Sequence, residues 1–388
     1  MTDQPRLLYL ITEDWYFWSH RLDLARLAVR AGFDVSIATR VSNHGERIRR
    51  EGFRLFPIAL SRRSRNPFSE LAAVLELVML YRRERPMIVH HVALKPILYG
   101  SFAAWCCGVP RVVNAFAGLG YAFTDRHRRG SFLRTCLGHA LRVLLKLRRS
   151  VVVFQNSDDR DLFVEEGIVE PLQARIIAGS GVDIKAFAVR QTLSGAPIVM
   201  LASRMLWDKG VGEFAEAVRR LQRDGVAARF VLVGMCDEHN PAAIPQGQIR
   251  GWVDEGLLEW WGHRDDMPAT LACATMVVLP SYREGLPKVL LEAAACGKPL
   301  IAADVPGCRD LVTHGVNGFL VPPRDSVALA AAITTVLRDP SLAAKMGLAG
   351  RDMVVRRFSV EQIASQTIDL YRELLKGPSG RAQTAGST

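Results

Sequence analysis

Two doubly wound α/β domains in tandem are what this sequence predicts, on three observations. Short apolar runs alternate with amphipathic stretches along almost the whole chain, that alternation breaks once and restarts, and 388 residues is the length of two ordinary domains. Runs at 7–11, 34–39, 88–91, 112–115 and 151–155 read as parallel strands, because strands covered on both faces are apolar throughout rather than alternating. Helical patterns at 21–31, 70–83, 97–106 and 132–147 separate them. After Gly179-Ser180-Gly181-Val182-Asp183 and the break at Gly195-Ala196-Pro197 the series restarts, with strands over 198–202, 230–233, 276–279, 300–303 and 319–321. These marks predict a first domain over 1–185 and a second over 186–358. A closing helix over 359–376, with Ile363, Ile368, Leu370, Tyr371 and Leu374 on its apolar face, is expected to pack back on the first domain, and a Gly/Ser/Thr-rich tail over 377–388 is expected to be disordered.

Composition narrows the function. Hydrophobic residues make up 49% and charged residues 23%, which excludes a disordered or fibrous chain. The seven cysteines form no CxxC pair, so a disulfide framework and a structural zinc site are both disfavoured, and the thiols read as small core residues of a reducing cytosol. No stretch approaches the roughly 20 apolar residues of a spanning helix. The net charge of +11 is concentrated: residues 1–190 carry 29 basic against 18 acidic residues, residues 191–388 carry 21 of each, and 62–149 hold 16 against 4. One domain is therefore built to meet something anionic. The stretch 132–149 combines an apolar face with cations, after Arg126, Arg128 and Arg129, and reads either as a helix lying on an anionic membrane or as a core helix with a basic rim. Nucleic acid is not expected as a partner, since no base-reading motif accompanies the charge.

In open parallel sheets ligands sit at the carboxyl ends of strands, so the loops after each strand are where chemistry is sought. After the strand at 198–202 comes Ser203-Arg204-x-x-x-x-Lys209-Gly210, two cations able to converge on a phosphate as fork and point charge. After 276–279 comes Glu284-Gly285-Leu286-Pro287-Lys288, then Glu292-Ala293. Pro287 suits the first helical position, and the amides around it suit an anion. Glu284 and Glu292 stand eight residues apart, and at about 1.5 Å per helical residue two such carboxylates can accept from hydroxyls roughly 10 Å apart. Asp159 and Asp161 read as metal ligands or as part of an acidic first helical turn, with Ser157 as its cap.

In this order, with Gly262-His263-Arg264-Asp265-Asp266, Gly297-Lys298-Pro299-Leu300-Ile301 and Gly315-Val316-Asn317-Gly318-Phe319-Leu320-Val321, the second half resembles retaining glycosyltransferases of family 4, and Glu284 and Glu292 match that family's E-x7-E motif. The first half is similar, more weakly, to members that extend membrane-linked oligosaccharides, through Thr12-Glu13-Asp14-Trp15-Tyr16-Phe17, His90-His91-Val92-Ala93-Leu94-Lys95-Pro96 and Gly118-Leu119-Gly120-Tyr121. The resemblance implies the GT-B fold, two Rossmann-like domains facing a central cleft. It implies transfer of a hexose or N-acetylhexosamine from a nucleotide diphosphate, UDP foremost, to a lipid-diphosphate-linked glycan in surface polysaccharide synthesis. The alternative from another class is a nucleotide-sugar epimerase of similar fold.

By position, the resemblance places Arg204 and Lys209 on the donor diphosphate, Glu284 on the transferred sugar and Glu292 on the ribose. Gly234, Gly262, His263, Leu286, Pro287 and Lys288 line the nucleotide pocket. No cofactor and no metal is expected, Arg204 and Lys209 supplying the positive charge. The protein is expected on the cytoplasmic face of the inner membrane, in peripheral contact with anionic lipid. The first half departs from the family pattern: residues 13–18 replace a glycine-rich loop, and Phe116-Ala117-Gly118 stands where relatives carry a histidine. The acceptor-side candidates are Asp14, His20, His91 and Lys95. Of His90 and His91, which end a strand, one is expected in the core and the other in the cleft.

Overall fold

The computed structural model describes residues 4–61, 66–118, 132–146, 149–189, 195–237 and 240–376. They form two units, Met1–Ser180 with Ile363–Thr388, and Gly181–Gln362. The expected tail, 377–388, lies outside the described residues.

The first unit holds a seven-stranded parallel sheet, β1 (Arg6–Glu13), β2 (Asp34–Arg40), β3 (Arg54–Pro57), β4 (Ile88–Val92), β5 (Arg111–Ala115), β6 (Arg149–Phe154) and β7 (Ala174–Ile176), in the order β3-β2-β1-β4-β5-β6-β7. Side chains alternate across a strand, so β1 feeds two cores. Leu7, Tyr9 and Ile11 pack with Leu24, Ala25 and Ala28 of helix Leu22–Arg30 and with Ile363, Ile368 and Tyr371 of the last helix, Val360–Lys376. Leu8 and Leu10 face Leu77, Leu80 and Tyr81 of helix Pro67–Glu84.

The second unit holds β8 (Ile198–Ala202), β9 (Arg229–Val233), β10 (Glu259–Trp260), β11 (Met276–Leu279), β12 (Leu300–Ala303) and β13 (Gly318–Val321), all parallel, in the order β10-β9-β8-β11-β12-β13. Val199, Leu201 and Val278 are buried with Phe214, Val218 and Leu221 of helix Val211–Arg223 and Leu329 and Ile333 of helix Ser326–Arg338.

The sequence reading omits β3, β7 and β10. These are edge or near-edge strands of four, three and two residues, too short to show an apolar run. It also takes 13–18 as a loop, whereas Asp14–His20 is helical and buries Phe17. The helix Ser157–Glu165 is capped by Asn156, not Ser157: the Asn156 side chain accepts from the Asp159 amide, and Asp158 and Asp159 supply the acidic first turn. Among the described residues, no single helix is long and apolar enough to cross a membrane.

Candidate active site

In the second sheet β8 lies between β9 and β11, so successive connections leave β8 in opposite directions and a crevice opens at the carboxyl ends of β8 and β11. The loops 203–210 and 280–287 occupy those ends, and their backbones are in close approach. Gly210 has φ +70, and a Cβ there would lie 2.2 Å from the Pro280 carbonyl oxygen. The Tyr282 amide donates to the Asp208 carbonyl at 2.9 Å. Lys209 Nζ consequently donates to Glu284 Oε1 at 2.5 Å, across 75 residues of sequence. Arg204 Nη1 pairs with Asp237 Oδ2 at 3.0 Å.

One turn into the helix Lys288–Ala295, Glu292 is 7% exposed and meets Lys288 Nζ at 3.3 Å. Burial pushes the Glu292 carboxyl above the ordinary glutamate range, and the Lys288 charge pulls only part of that back. The helix opens without a side-chain cap. Pro287 is its N-cap residue (φ −73, ψ 110) rather than the expected first helical residue, because its extended ψ keeps it out of the helical turn. Leu286 is half-buried beside it.

The end of β9 joins the same cluster. Gly234 has φ +137, and a Cβ there would fall 1.8 Å from the Ser203 carbonyl oxygen, so glycine is required for the loop carrying Arg204 to pass. The Gly234 amide donates to the Gly262 carbonyl at 2.8 Å. His263 is exposed, 3.3 Å from the exposed Asp265. The structure therefore gathers Arg204, Lys209, Glu284, Glu292, Gly234, Gly262 and 286–288 at one sheet edge. The sequence reading misses Asp237, three residues past Gly234, and Tyr282, whose hydroxyl donates to Glu213 Oε1 at 2.6 Å and whose ring lies 4.4 Å under the Arg324 guanidinium. Asp237 is signalled by its strand-end position, whereas nothing local signals Arg324.

The first unit's candidates fare differently. Asp14 is fully buried and accepts from Ser42 N (2.7 Å), Ser42 Oγ (2.6 Å) and His44 N (2.8 Å), tying the loop after β2 to the end of β1. Burial pushes its carboxyl up, but those hydrogen bonds outweigh it and hold it below the ordinary range. His20 bonds Ser19 Oγ through Nδ1 at 2.6 Å and stacks on Tyr16. Lys95 does not stand open to a phosphate: its Nζ lies 2.9 Å from both Glu70 Oε1 and the Ser61 carbonyl, with Tyr99 on the same carboxylate. The expectation that one of His90 and His91 leaves the core is overturned, since they are 2% and 0% exposed. β4 runs inside the sheet with both faces covered, so neither side of it reaches solvent. His91 is held between Tyr81 Oη (3.0 Å) and Asn114 Oδ1 (2.8 Å), and burial lowers its pKa to about 4.

Asp159 is buried in its helix cap and Asp161 pairs with Arg160 at 2.7 Å. In the basic helix Phe132–Lys146, Leu141 and Leu145 are buried against Phe154 and Phe163. Residues 119–121, Arg126, Arg128, Arg129 and Arg148 lie outside the described residues.

Two family models match, "Glycosyl transferase 4-like" over 6–156 and "Glycosyl transferases group 1" over 196–339, together spanning most of the chain. The chain is 25% identical over 357 residues (88% of this chain, 92% of the relative) to N,N'-diacetylbacillosaminyl-diphospho-undecaprenol alpha-1,3-N-acetylgalactosaminyltransferase of Campylobacter jejuni. It is 24% identical over 356 residues (88% and 90%) to UDP-Gal:alpha-D-GlcNAc-diphosphoundecaprenol alpha-1,3-galactosyltransferase of Escherichia coli. In fold it resembles sucrose-phosphate synthase from Thermosynechococcus elongatus, with a TM-score of 0.79 over 96% of this chain and 100% of the other at 21% identity.

Proposed function

This chain belongs to the glycosyltransferases of the group 1, type-4-like family, with the GT-B fold, and from that premise we propose that it moves a hexose or N-acetylhexosamine, with retention, from a UDP-sugar to a lipid-diphosphate-linked glycan. The observation that carries the reading is the Lys209–Glu284 pair beside Arg204 and Glu292, at the crevice where an open α/β sheet takes its ligand. A departing nucleoside diphosphate accumulates negative charge. Arg204 offers a planar fork to it and Lys209 a point charge, each already oriented by a carboxylate. Glu284, fixed by Lys209, would accept from hydroxyls of the transferred sugar, and buried Glu292 from the ribose. In this reading Arg204 and Lys209, rather than a metal ion, answer the leaving group's charge, so chelator should leave turnover unchanged. The two relatives are named for undecaprenol-diphosphate-linked sugars, which supports the acceptor class. Neither is an epimerase.

The site of work in this reading is the cytoplasmic surface of a membrane, and the first unit has a face for it. Helix Pro67–Glu84 buries Ala73, Leu77, Leu80 and Tyr81 on one side. On the opposite side Phe68 (82%), Leu71 (58%), Leu75 (54%) and Met79 (65%) are exposed, spaced to fall on one stripe, with exposed Arg82 and Arg83 following. A helix apolar on two opposite faces needs two apolar neighbours. Lipid fits the outer one, with Arg82 and Arg83 at the headgroups. In this reading the membrane contact includes 67–84, within the basic stretch 62–149 that holds the sequence candidate at 132–149.

The test is transfer from a panel of nucleotide sugars to a polyprenyl-diphosphate-linked sugar in anionic vesicles. Product should form with one donor, and Phe68→Ser with Leu75→Ser should lower vesicle binding and transfer while sparing nucleotide-sugar hydrolysis without acceptor. Transfer only to soluble acceptors, independent of vesicles, overturns the acceptor class.

A further inference from the structure

The first unit contains a guanidinium that no carboxylate neutralises among the described residues. Arg21, between helices Asp14–His20 and Leu22–Arg30, is 5% exposed, and its Nε is buried without a hydrogen-bond partner. Among the described residues no carboxylate pairs with it, unlike Arg204 and Lys209. A guanidinium does not shed its proton, and a charge buried without a partner is strongly unfavourable. It lines a cavity with His90, Phe116, Gln155, Gly179 and Thr367. Those residues place the cavity toward the carboxyl ends of β4 to β7, the edge where parallel sheets take ligands.

His90 supplies a second unanswered group. Its Nδ1 lies 2.5 Å from Tyr371 Oη, which lies 2.9 Å from Tyr9 Oη, and its Nε2 is buried with no partner. Burial, with the Arg21 charge second, drives the His90 pKa well below the ordinary histidine value, so the ring is neutral. In the arrangement in which Tyr9 donates to Tyr371 and Tyr371 donates to Nδ1, the ring proton sits on Nε2. Two donors, one permanently charged, thus lack an acceptor around one cavity. Its volume of about 10 Å³ admits one oxygen-sized group but no sugar ring.

We propose that Arg21 and His90 form an oxyanion subsite in the first unit, walled by Thr367 of the last helix, whose Tyr371 orients the His90 ring, and that it takes an anionic oxygen of the acceptor, on a phosphate or a carboxylate. The assignment to the acceptor rests on the glycosyl-transfer reading above; the anion site itself does not. In this view the last helix is part of the binding site and not only a strap over the core.

Thermal unfolding of the full chain, with UDP held saturating so that the second unit's cations are occupied, reads the subsite. Inorganic phosphate and acetate are titrated separately against wild type, Arg21→Met and His90→Gln. One of the two anions should raise the wild-type midpoint by about 2–4 °C, the shift should vanish in Arg21→Met and shrink in His90→Gln. Arg21→Met without anion should be at least as stable as wild type, since it removes an uncompensated buried charge. A shift with phosphate alone points to the acceptor's phosphate, and a shift with acetate alone to an acidic sugar. Equal shifts in wild type and Arg21→Met, no shift with either anion, or an Arg21→Met chain well below wild type without anion would show a structural arginine satisfied by water and overturn the proposal. Transfer by the wild type is scored separately. Absence of transfer from any nucleotide sugar to the polyprenyl-diphosphate-linked sugar, alongside an Arg21-dependent shift, would remove the glycosyl-transfer reading and leave the subsite standing.

Discussion

The two sheets share one strand order around β1–β4 and β8–β11, yet their carboxyl edges are built on opposite principles. In the second unit the cations Arg204 and Lys209 are paired with the carboxylates Asp237 and Glu284 at the edge itself, Arg204 the most exposed side chain of the four at 42% and Glu284 the least at 11%. In the first unit Asp14, His91 and Lys95 are committed to holding loops and core together, and the group left unanswered is a buried arginine. A polar residue after a parallel strand is therefore not by itself a ligand residue. What separates the two edges is what each pair ties down: Lys209 with Glu284 and Arg204 with Asp237 join the loops at the crevice, whereas Lys95 ties its own helix to Glu70 of helix Pro67–Glu84 and to the Ser61 carbonyl.

The largest expected effect tests the donor half of that contrast. Arg204→Ala and Lys209→Ala should each lower turnover by about 10²- to 10³-fold, the scale of removing one preorganised charge donor, whereas Lys95→Ala, which breaks a loop tie, should act mainly on stability. Steady-state kinetics beside thermal melts separates the two. If Lys95→Ala cost as much turnover as Lys209→Ala at unchanged melting temperature, the contrast between the edges would be wrong.

Acid should also divide the units. The first buries His90 and His91, with pKa values lowered by burial, while His263 and His314 of the second are exposed. A histidine lowered in the folded state stabilises above its unfolded value of 6.5, and that stability is lost as pH falls from 6.5 toward about 4, where folded His91 finally protonates. For His91 the loss is roughly 3 kcal/mol. Hydrogen exchange at pH 7 and at 4.5 should show first-unit strands losing protection before second-unit strands. Simultaneous loss would contradict this.

The smallest effect concerns strain at the end of β4, where Ala93 holds φ +77 and ψ 165, a region natural to glycine. Ala93→Gly should stabilise the first unit by about 1 kcal/mol, a midpoint rise of about 2–4 °C. A fall in the midpoint would mean that the alanine methyl packs in a way that outweighs the strain.

The Glu284–Glu292 spacing and the cations at 204 and 209 were legible because each is a local consequence of a strand ending and a helix beginning, whereas Gly234 entered only through the family resemblance. The same holds for the doubly wound class, since apolar periodicity records burial one element at a time. The edge strands β3, β7 and β10 escaped that reading because two to four residues carry no period. The amphipathic helix at 132–149 drew attention for its charge. Among the described residues the helix at 67–84 carries the exposed apolar stripe, because which of two apolar faces is covered depends on the sheet beneath it.

By itself, then, the sequence determined the two α/β units, their parallel strands and the loops that bear the candidate donor-site residues, all properties encoded within a dozen neighbouring residues. Only the tertiary structure decided the partners: that Lys209 meets Glu284, that His91 is locked by Tyr81 and Asn114, and that Arg21 meets no carboxylate among the described residues. Hydrogen bonds and ion pairs act over about 3 Å in space, between groups that here lie as much as 362 residues apart in the chain. No local pattern carries that separation; the packing of the sheets does.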